Sequence, residues 1–422
     1  MKQFIQPSFL PSSNIYEVNL RQYTPQGTIR AFMVHLPRLK DMGVEILWFM
    51  PIFPIGIINR KGKLGSYYSI KDFCDVNPEF GTKEDFADLV NTIHQLGMKI
   101  ILDWVANHAA WDNNWTITNP DFFVRKEQGK FMAPYDWTDV IQINHSNSDE
   151  QTAMINSMEY WITEFDIDGF RADLAHLTPL LFWKKARQRL DTLKHELIWL
   201  AETEDPAYQE AFDISYTWKW MHTTEGLIKH GQDTNSLLSL LTESAKEFQD
   251  GLRMYFTSNH DENSWNGSEY EKYGPYAKAL AVFSFTYINS VPLIYSGQEL
   301  PNPKRLKFFE KDLIEWSDNI ALKDFYKTLN AYRKRDPVFK ETSLEGFSFI
   351  GTGSSLMAYQ RSSGMNSMIV LLNLSAEKTG STVDTMLNGS FKDIFSYQIY
   401  QLENSITVQL EPGDFLVLEK IA

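Results

Sequence analysis

Residues 86–108 read Phe86-Ala87-Asp88-Leu89-Val90-Asn91-Thr92-Ile93-His94-Gln95-Leu96-Gly97-Met98-Lys99-Ile100-Ile101-Leu102-Asp103-Trp104-Val105-Ala106-Asn107-His108. Phe86, Leu89, Val90, Ile93 and Leu96 recur at steps of three and four, which places them on one face of a helix, and Gly97 follows as its C-cap. The run 99–103 is then a short buried strand that stops in polar residues: Asp103, Asn107 and His108. A helix turning through glycine into a buried strand is half of a βαβ unit, the repeating piece of a parallel sheet with crossover helices.

Working outward, the same alternation extends over the first three hundred residues. Strand-like runs begin at 15–19, 44–48, 99–103, 167–171, 197–201, 212–215, 254–257 and 292–295. Eight strand–helix units predict a (β/α)8 TIM barrel. Its last helix carries Leu322, Phe325, Tyr326, Leu329 and Tyr332 and runs out at Arg333-Lys334-Arg335-Asp336-Pro337. Beyond Pro337 only short strand-like segments remain, such as 354–359, 367–372 and 415–419, separated by Gly, Ser and Asn turns, which predicts a small all-β sandwich domain. The connection from Asn107 to Asp149 is polar, aromatic and far longer than an ordinary βα loop, so it is expected to build a site at the barrel mouth. The expected division is a barrel over 1–107 and 150–337, a short inserted domain over 108–149, and the C-terminal domain over 338–422.

The chain of 422 residues is 43% hydrophobic and 22% charged, a globular composition. Its net charge of −14 repels phosphate backbones and anionic lipid, so neither a nucleic acid nor a membrane is an expected partner. A single cysteine, Cys74, excludes an intramolecular disulfide and any multi-cysteine metal site. No stretch has the length and apolarity of a membrane span, and the opening residues lack a signal-like pattern; the expected location is therefore cytoplasmic, or exported with a signal already removed.

Four strands end in unusually polar residues: Asp103 with Asn107 and His108, Arg171 with Asp173, Glu202 with Glu204, and Asn259 with His260 and Asp261. Burying such groups is costly unless they serve one another or a ligand, and convergence on one cleft is the economical explanation. Retaining hydrolysis of a glycoside needs a carboxylate nucleophile and, roughly 5–5.5 Å away, a carboxyl group that gives and then removes a proton. Asp173 and Glu202, on adjacent strand ends, can meet that separation. Arg171, two residues before Asp173, shares its face of the strand and is expected to keep that carboxylate ionised, while Glu202, among like charges, is expected to have its pKa raised. An Asp–Arg pair alone is as often a structural salt bridge; Glu202 and Asp261 in register favour chemistry.

These four segments resemble the four signature regions of the α-amylase superfamily of retaining glycoside hydrolases, in order and on the corresponding strands. The flanking segments Gly43-Val44-Glu45-Ile46-Leu47-Trp48-Phe49-Met50-Pro51 and 72–82 match as well. The resemblance implies Asp173 as nucleophile, Glu202 as acid/base and Asp261 as the third carboxylate that grips sugar hydroxyls. It implies substrate contacts from Tyr68 under the cleaved ring, His108, Arg171, His260, and His176, which stands where many amylases have a lysine. Asp103 reads as buried and structural. Trp104, Trp111, Trp115 and Trp265 stand as further sugar platforms or as core. The implied substrate is an α-1,4-glucan such as starch, glycogen or a maltooligosaccharide, with cyclomaltodextrinase, neopullulanase or glucanotransferase action as the alternative and a non-catalytic binding relative as a third reading. Many family members hold a structural calcium through the asparagine matching Asn107 and a loop aspartate. Gln142 replaces that aspartate here, so no metal or other cofactor is expected to be required, a weakly held structural calcium being the alternative. Arg171 and Asn259 match two of the three groups that bind chloride in some amylases, the third being unidentified, and no chloride is expected.

Overall fold

The computed structural model describes residues 4–231, 234–350 and 356–421. Eight short parallel strands form the barrel: β1 (Ile15–Val18), β2 (Ile46–Phe49), β3 (Lys99–Trp104), β6 (Gly169–Ala172), β7 (Ile198–Ala201), β8 (Ile214–Tyr216), β9 (Leu252–Met254) and β10 (Leu293–Tyr295). They lie in the order β10-β1-β2-β3-β6-β7-β8-β9. Backbone hydrogen bonds from Val291 to Arg253 and from Leu293 to Tyr255 carry β10 across to β9 and all but close the ring. All eight fall on the expected runs, shifted by at most a few residues. The strands are buried almost throughout, as both faces of a barrel strand must be.

The helix before β3 spans Lys83–Gln95 and begins in a capping box, with the Thr82 hydroxyl accepting from the Asp85 N–H and the Asp85 carboxylate accepting from the Thr82 N–H. Phe86, Leu89, Val90 and Ile93 are its buried face. His94 and the Ile100 N–H, from helix and strand, both bond Asp168 at the foot of β6. The connection after β3 is less irregular than its composition suggests. It contains an antiparallel ribbon of β4 (His108–Ala110) and β5 (Val140–Gln142), with His108 opposite Gln142. Among the described residues no helix is long and apolar enough to cross a membrane.

The C-terminal part is antiparallel: β11 (Phe347–Ile350), β12 (Leu356–Ser363), β13 (Asn366–Asn373), β14 (Thr379–Asp393), β15 (Ile399–Leu410) and β16 (Phe415–Lys420). Ser354 and Ser355 of the expected segment 354–359 lie outside the described residues. β14 shifts register between Asp384 and Asn388, so its first half pairs with β15 alone while Phe391 to Asp393 also pair with β16. The sheet thereby folds over itself as a sandwich. Leu356, Ala358, Ile369, Leu371 and Leu418 on one side meet Val383, Leu402, Ile406 and Val408 on the other. The opposite face of β12 and β13, through Met357, Tyr359, Met368 and Val370, joins the core of the barrel.

Candidate active site

Arg171 is the centre of the barrel mouth. It is fully buried on β6, and its Nη1 lies 2.9 Å from Asp103 Oδ1 and 3.0 Å from Asp173 Oδ1. Its Nη2 lies 2.8 Å from Glu202 Oε2. Parallel pairing explains the convergence: Asp103 is the register partner of Arg171, and Ala172 that of Ala201, so Asp173 and Glu202 leave neighbouring strands at the same height. The Glu202 N–H is bonded to the Ala172 carbonyl, which fixes that height.

Asp173 uses only one of its oxygens. Oδ1 accepts from Arg171, while Oδ2 is buried with no hydrogen-bond partner among the described residues. Glu202 Oε2 accepts from the N–H of Leu174 at 2.7 Å, and Leu174 holds a left-handed backbone (φ 40°, ψ 50°) to deliver it. Burial pushes both Asp173 and Glu202 up to about 7, against the pull of Arg171. Desolvation thus raises Asp173 as well as Glu202, although Arg171 was expected to favour the ionised form of Asp173. Arg171 reaches both carboxylates, and their shared desolvation outweighs it.

A second network stands behind Tyr68. Burial opposes a charge on His260, yet Asp261 and Glu17 hold its proton far above the usual histidine range. As an imidazolium it donates from Nδ1 to Glu17 Oε1 (2.5 Å), and from Nε2 toward Tyr68 Oη (2.7 Å) and Asp261 Oδ2 (3.3 Å). Tyr68 Oη in turn donates to Asp103 Oδ2 at 3.0 Å, as does the indole of Trp48 at 3.2 Å. The Tyr68 ring packs near-parallel beside those of His260 (centroids 5.5 Å apart) and Phe308 (6.2 Å), which are themselves 6.3 Å apart, so the three form a triangular cluster. Burial would raise the Asp261 pKa, but the His260 imidazolium overrides it and keeps this carboxyl below its ordinary value.

These groups line a cavity of about 280 Å³ that contains Tyr68, His108, Asp173, Glu202 and Asp261 together with Trp137, Phe308 and Phe309. His108 is pushed down to about 4 by burial and is neutral. The Asn107 amide lies 3.3 Å from its Nδ1, so Nε2 carries the hydrogen. Not every expected residue reaches the cavity. His260 is buried with both nitrogens engaged behind Tyr68, and His176 is exposed on the single turn Ala175–Leu177, outside the lining. Trp104 is core, Trp115 packs on Phe73 and Phe122, and Trp111 donates to the Thr138 carbonyl. Trp265 is half exposed against Phe308 and Phe309. Sequence reasoning missed Glu17, although a carboxylate inside the first strand was a signal, since a buried charge demands a partner. It also missed Trp137, Phe308 and Phe309, which lie on loops that carry no pattern.

The residues near Asn107 do not fit calcium. The Asn107 carbonyl accepts from Ile143, and its amide faces His108. The neighbouring Ala106 carbonyl accepts from His145, whose other nitrogen lies 3.0 Å from the buried Glu150. Among the described residues no three His, Cys, Asp or Glu side chains gather to supply the negative charge on which tight calcium binding depends.

A parallel barrel whose mouth gathers a buried arginine, two acids sharing it and a third carboxylate beside a stacked tyrosine defines a barrel glycoside hydrolase. The model of the α-amylase catalytic domain matches residues 7–142 and 123–355, and the chain belongs to that family. Among solved structures it resembles a noncanonic maltogenic α-amylase from Thermotoga neapolitana, with 30% identity, a TM-score of 0.90, and coverage of 98% of this chain and 99% of the other. Alpha-amylase 2 of Dictyoglomus thermophilum is 27% identical over 419 residues, 91% of this chain and 70% of the relative. A cyclomaltodextrinase from Thermoanaerobacter pseudethanolicus is 24% identical over 83% of this chain, which spans 64% of that relative's length.

Proposed function

We propose that the protein hydrolyses α-1,4-glucosidic bonds in starch, glycogen or maltooligosaccharides with retention of configuration. The observation that carries this reading is the buried, unpartnered Oδ2 of Asp173, a residue that lines the same cavity as Glu202. A buried carboxylate oxygen left without a donor is costly and suits attack on a sugar carbon. In the first step Asp173 Oδ2 bonds to the anomeric carbon while Glu202 gives its proton to the departing glycosidic oxygen. In the second, Glu202 takes a proton from water, whose oxygen displaces Asp173 and restores the original configuration. Asp261 binds hydroxyls of the sugar being cleaved, Tyr68 lies under that ring, and neutral His108 contacts a hydroxyl from the cavity wall. Arg171 positions both carboxylates, and His260 holds Tyr68 and Asp261 in place. His176, outside the cavity, is left to a longer substrate on the leaving-group side.

The test is the configuration of the first product. NMR during the opening minutes of maltooligosaccharide hydrolysis should show the α anomer before mutarotation; an initial β anomer would require a different pair of carboxylates. The name of the cyclomaltodextrinase relative supports a second reading, action on cyclodextrin or pullulan. Chromatography of products from soluble starch, maltooligosaccharide, pullulan and cyclodextrin separates the two.

A further inference from the structure

Two loops and the inserted ribbon are fastened to one another on one side of the cavity. Lys61 Nζ, on the loop after β2, lies 2.9 Å from Asp139 Oδ1, which directly precedes β5, and both residues line the cavity. The Ser69 hydroxyl of the same loop donates to the Asp139 carbonyl at 3.0 Å. Further along, the Leu64 N–H donates to the Phe309 carbonyl on the loop after β10, at 3.2 Å. The contact is close at Gly62, where φ is +65° and an added Cβ would stand 2.5 Å from the Cβ of Phe309.

The barrel order says which end this wall closes. The loops of β2 and β10 flank β1, four strands from β7, which carries Glu202, and the ribbon that leaves β3 is drawn toward them through Asp139. Glu202 marks the side where the leaving group departs, so the wall stands at the opposite, glycone end. A cavity of about 280 Å³ is also at the small end of the roughly 300–1,000 Å³ typical of ligand sites.

We infer that the Lys61–Asp139 ion pair closes the glycone end of the cleft, so that the enzyme removes glucose- or maltose-sized units from chain ends instead of cutting within a chain. This rests on the α-glucan reading above. Asp139 is buried, but Lys61 is 37% exposed, and an ion pair with one solvated partner contributes little to stability. It therefore acts as a latch that can be removed without unfolding the barrel.

The test uses the whole chain with maltoheptaose and soluble starch, reading early products by chromatography and iodine staining against reducing ends. The wild type should release mainly glucose and maltose, with iodine colour lost slowly per bond cut. Lys61→Ala and Asp139→Asn should each raise the share of trisaccharide and longer glycone products by roughly threefold. The exchanged pair Lys61→Asp with Asp139→Lys should bring the short products back. Early long fragments from the wild type, or an unchanged profile in both single variants, would overturn the closure while leaving the hydrolase reading intact. A wild type inactive on every α-glucan would instead overturn the reading on which the closure rests.

Discussion

The backbone N–H of Leu174 donates to Oε2 of Glu202 at 2.7 Å, so the residue after the proposed nucleophile holds the proposed acid. The ion pair from Arg171 falls on the same oxygen. Both contacts disfavour a proton on Oε2, which makes Oε1 the oxygen that carries and donates it. The left-handed backbone at Leu174, uncommon for a residue with a branched side chain, is the local strain that accompanies this placement.

Glu202→Gln keeps the shape of the side chain and removes its acidity. Turnover on an unactivated maltooligosaccharide should fall about 10²–10⁴-fold. A variant retaining more than about a tenth of wild-type turnover would exclude Glu202 as the acid.

The same variant carries a stability signature. The folded pKa of Glu202, about 7, lies above its ordinary 4.5. Its contribution to stability is therefore fully present below 4.5 and lost as pH rises through about 7. Relative to wild type, Glu202→Gln should melt higher at pH 8 than at pH 4. Thermal scans at the two pH values check this, and an equal difference at both would show that the carboxyl is not strained by burial.

Activity needs Asp173 ionised and Glu202 protonated, and burial drives both toward about 7. The profile of kcat/KM against pH should be a narrow bell centred near 7, with the acid limb from protonation of Asp173 and the alkaline limb from ionisation of Glu202. A plateau running from about pH 5 to pH 9 would contradict it.

At Tyr68 two substitutions separate two roles. Tyr68→Phe keeps the ring beside His260 and Phe308 and removes the hydroxyl that donates to Asp103; its kcat/KM should fall by an amount equivalent to about 1 kcal/mol. Tyr68→Ala also removes the stacking surface and should lose roughly another 1–2 kcal/mol. Equal losses in the two variants would mean that the ring contributes nothing under the sugar.

Exhaustive chelation should leave activity and Tm nearly unchanged, because Gln142 supplies no charge near Asn107 and the backbone carbonyls of Ala106 and Asn107 already accept from His145 and Ile143. A fall in Tm of more than about 5 °C, reversed by calcium and not by magnesium, would reveal a tightly bound ion, since a ligand of the folded state raises its stability.

The barrel was legible because each strand is short, apolar and bounded by a helical pattern, as in the run from Phe86 to Asp103. The polar strand ends were legible for the same reason, since Arg171, Asp173, Glu202 and Asp261 each break an apolar pattern where a loop begins. Loop geometry was not. Phe308 reaches Tyr68 only after the chain has closed the barrel, and nothing local distinguishes it from a surface aromatic. The protonation balance was also hidden, because it depends on Arg171 reaching Glu202 as well as Asp173. His260 shows the same limit, for its engagement by Glu17 joins residues 243 positions apart.

The seam between barrel and sandwich has a consequence for how such chains can be recombined. Arg361 of β12, buried with its pKa lowered to about 10 by desolvation, donates to the carbonyls of Thr286 and Tyr287 at the end of a barrel helix and to that of Val338. Met357, Tyr359, Met368 and Val370 continue the barrel's own core on the same face. Cutting the chain near Pro337 would leave the Thr286 and Tyr287 carbonyls without their donor and open that apolar face to water. The two parts thus share one core, and the sandwich is a poor candidate for exchange between relatives unless its barrel-facing strands travel with the helix they cover.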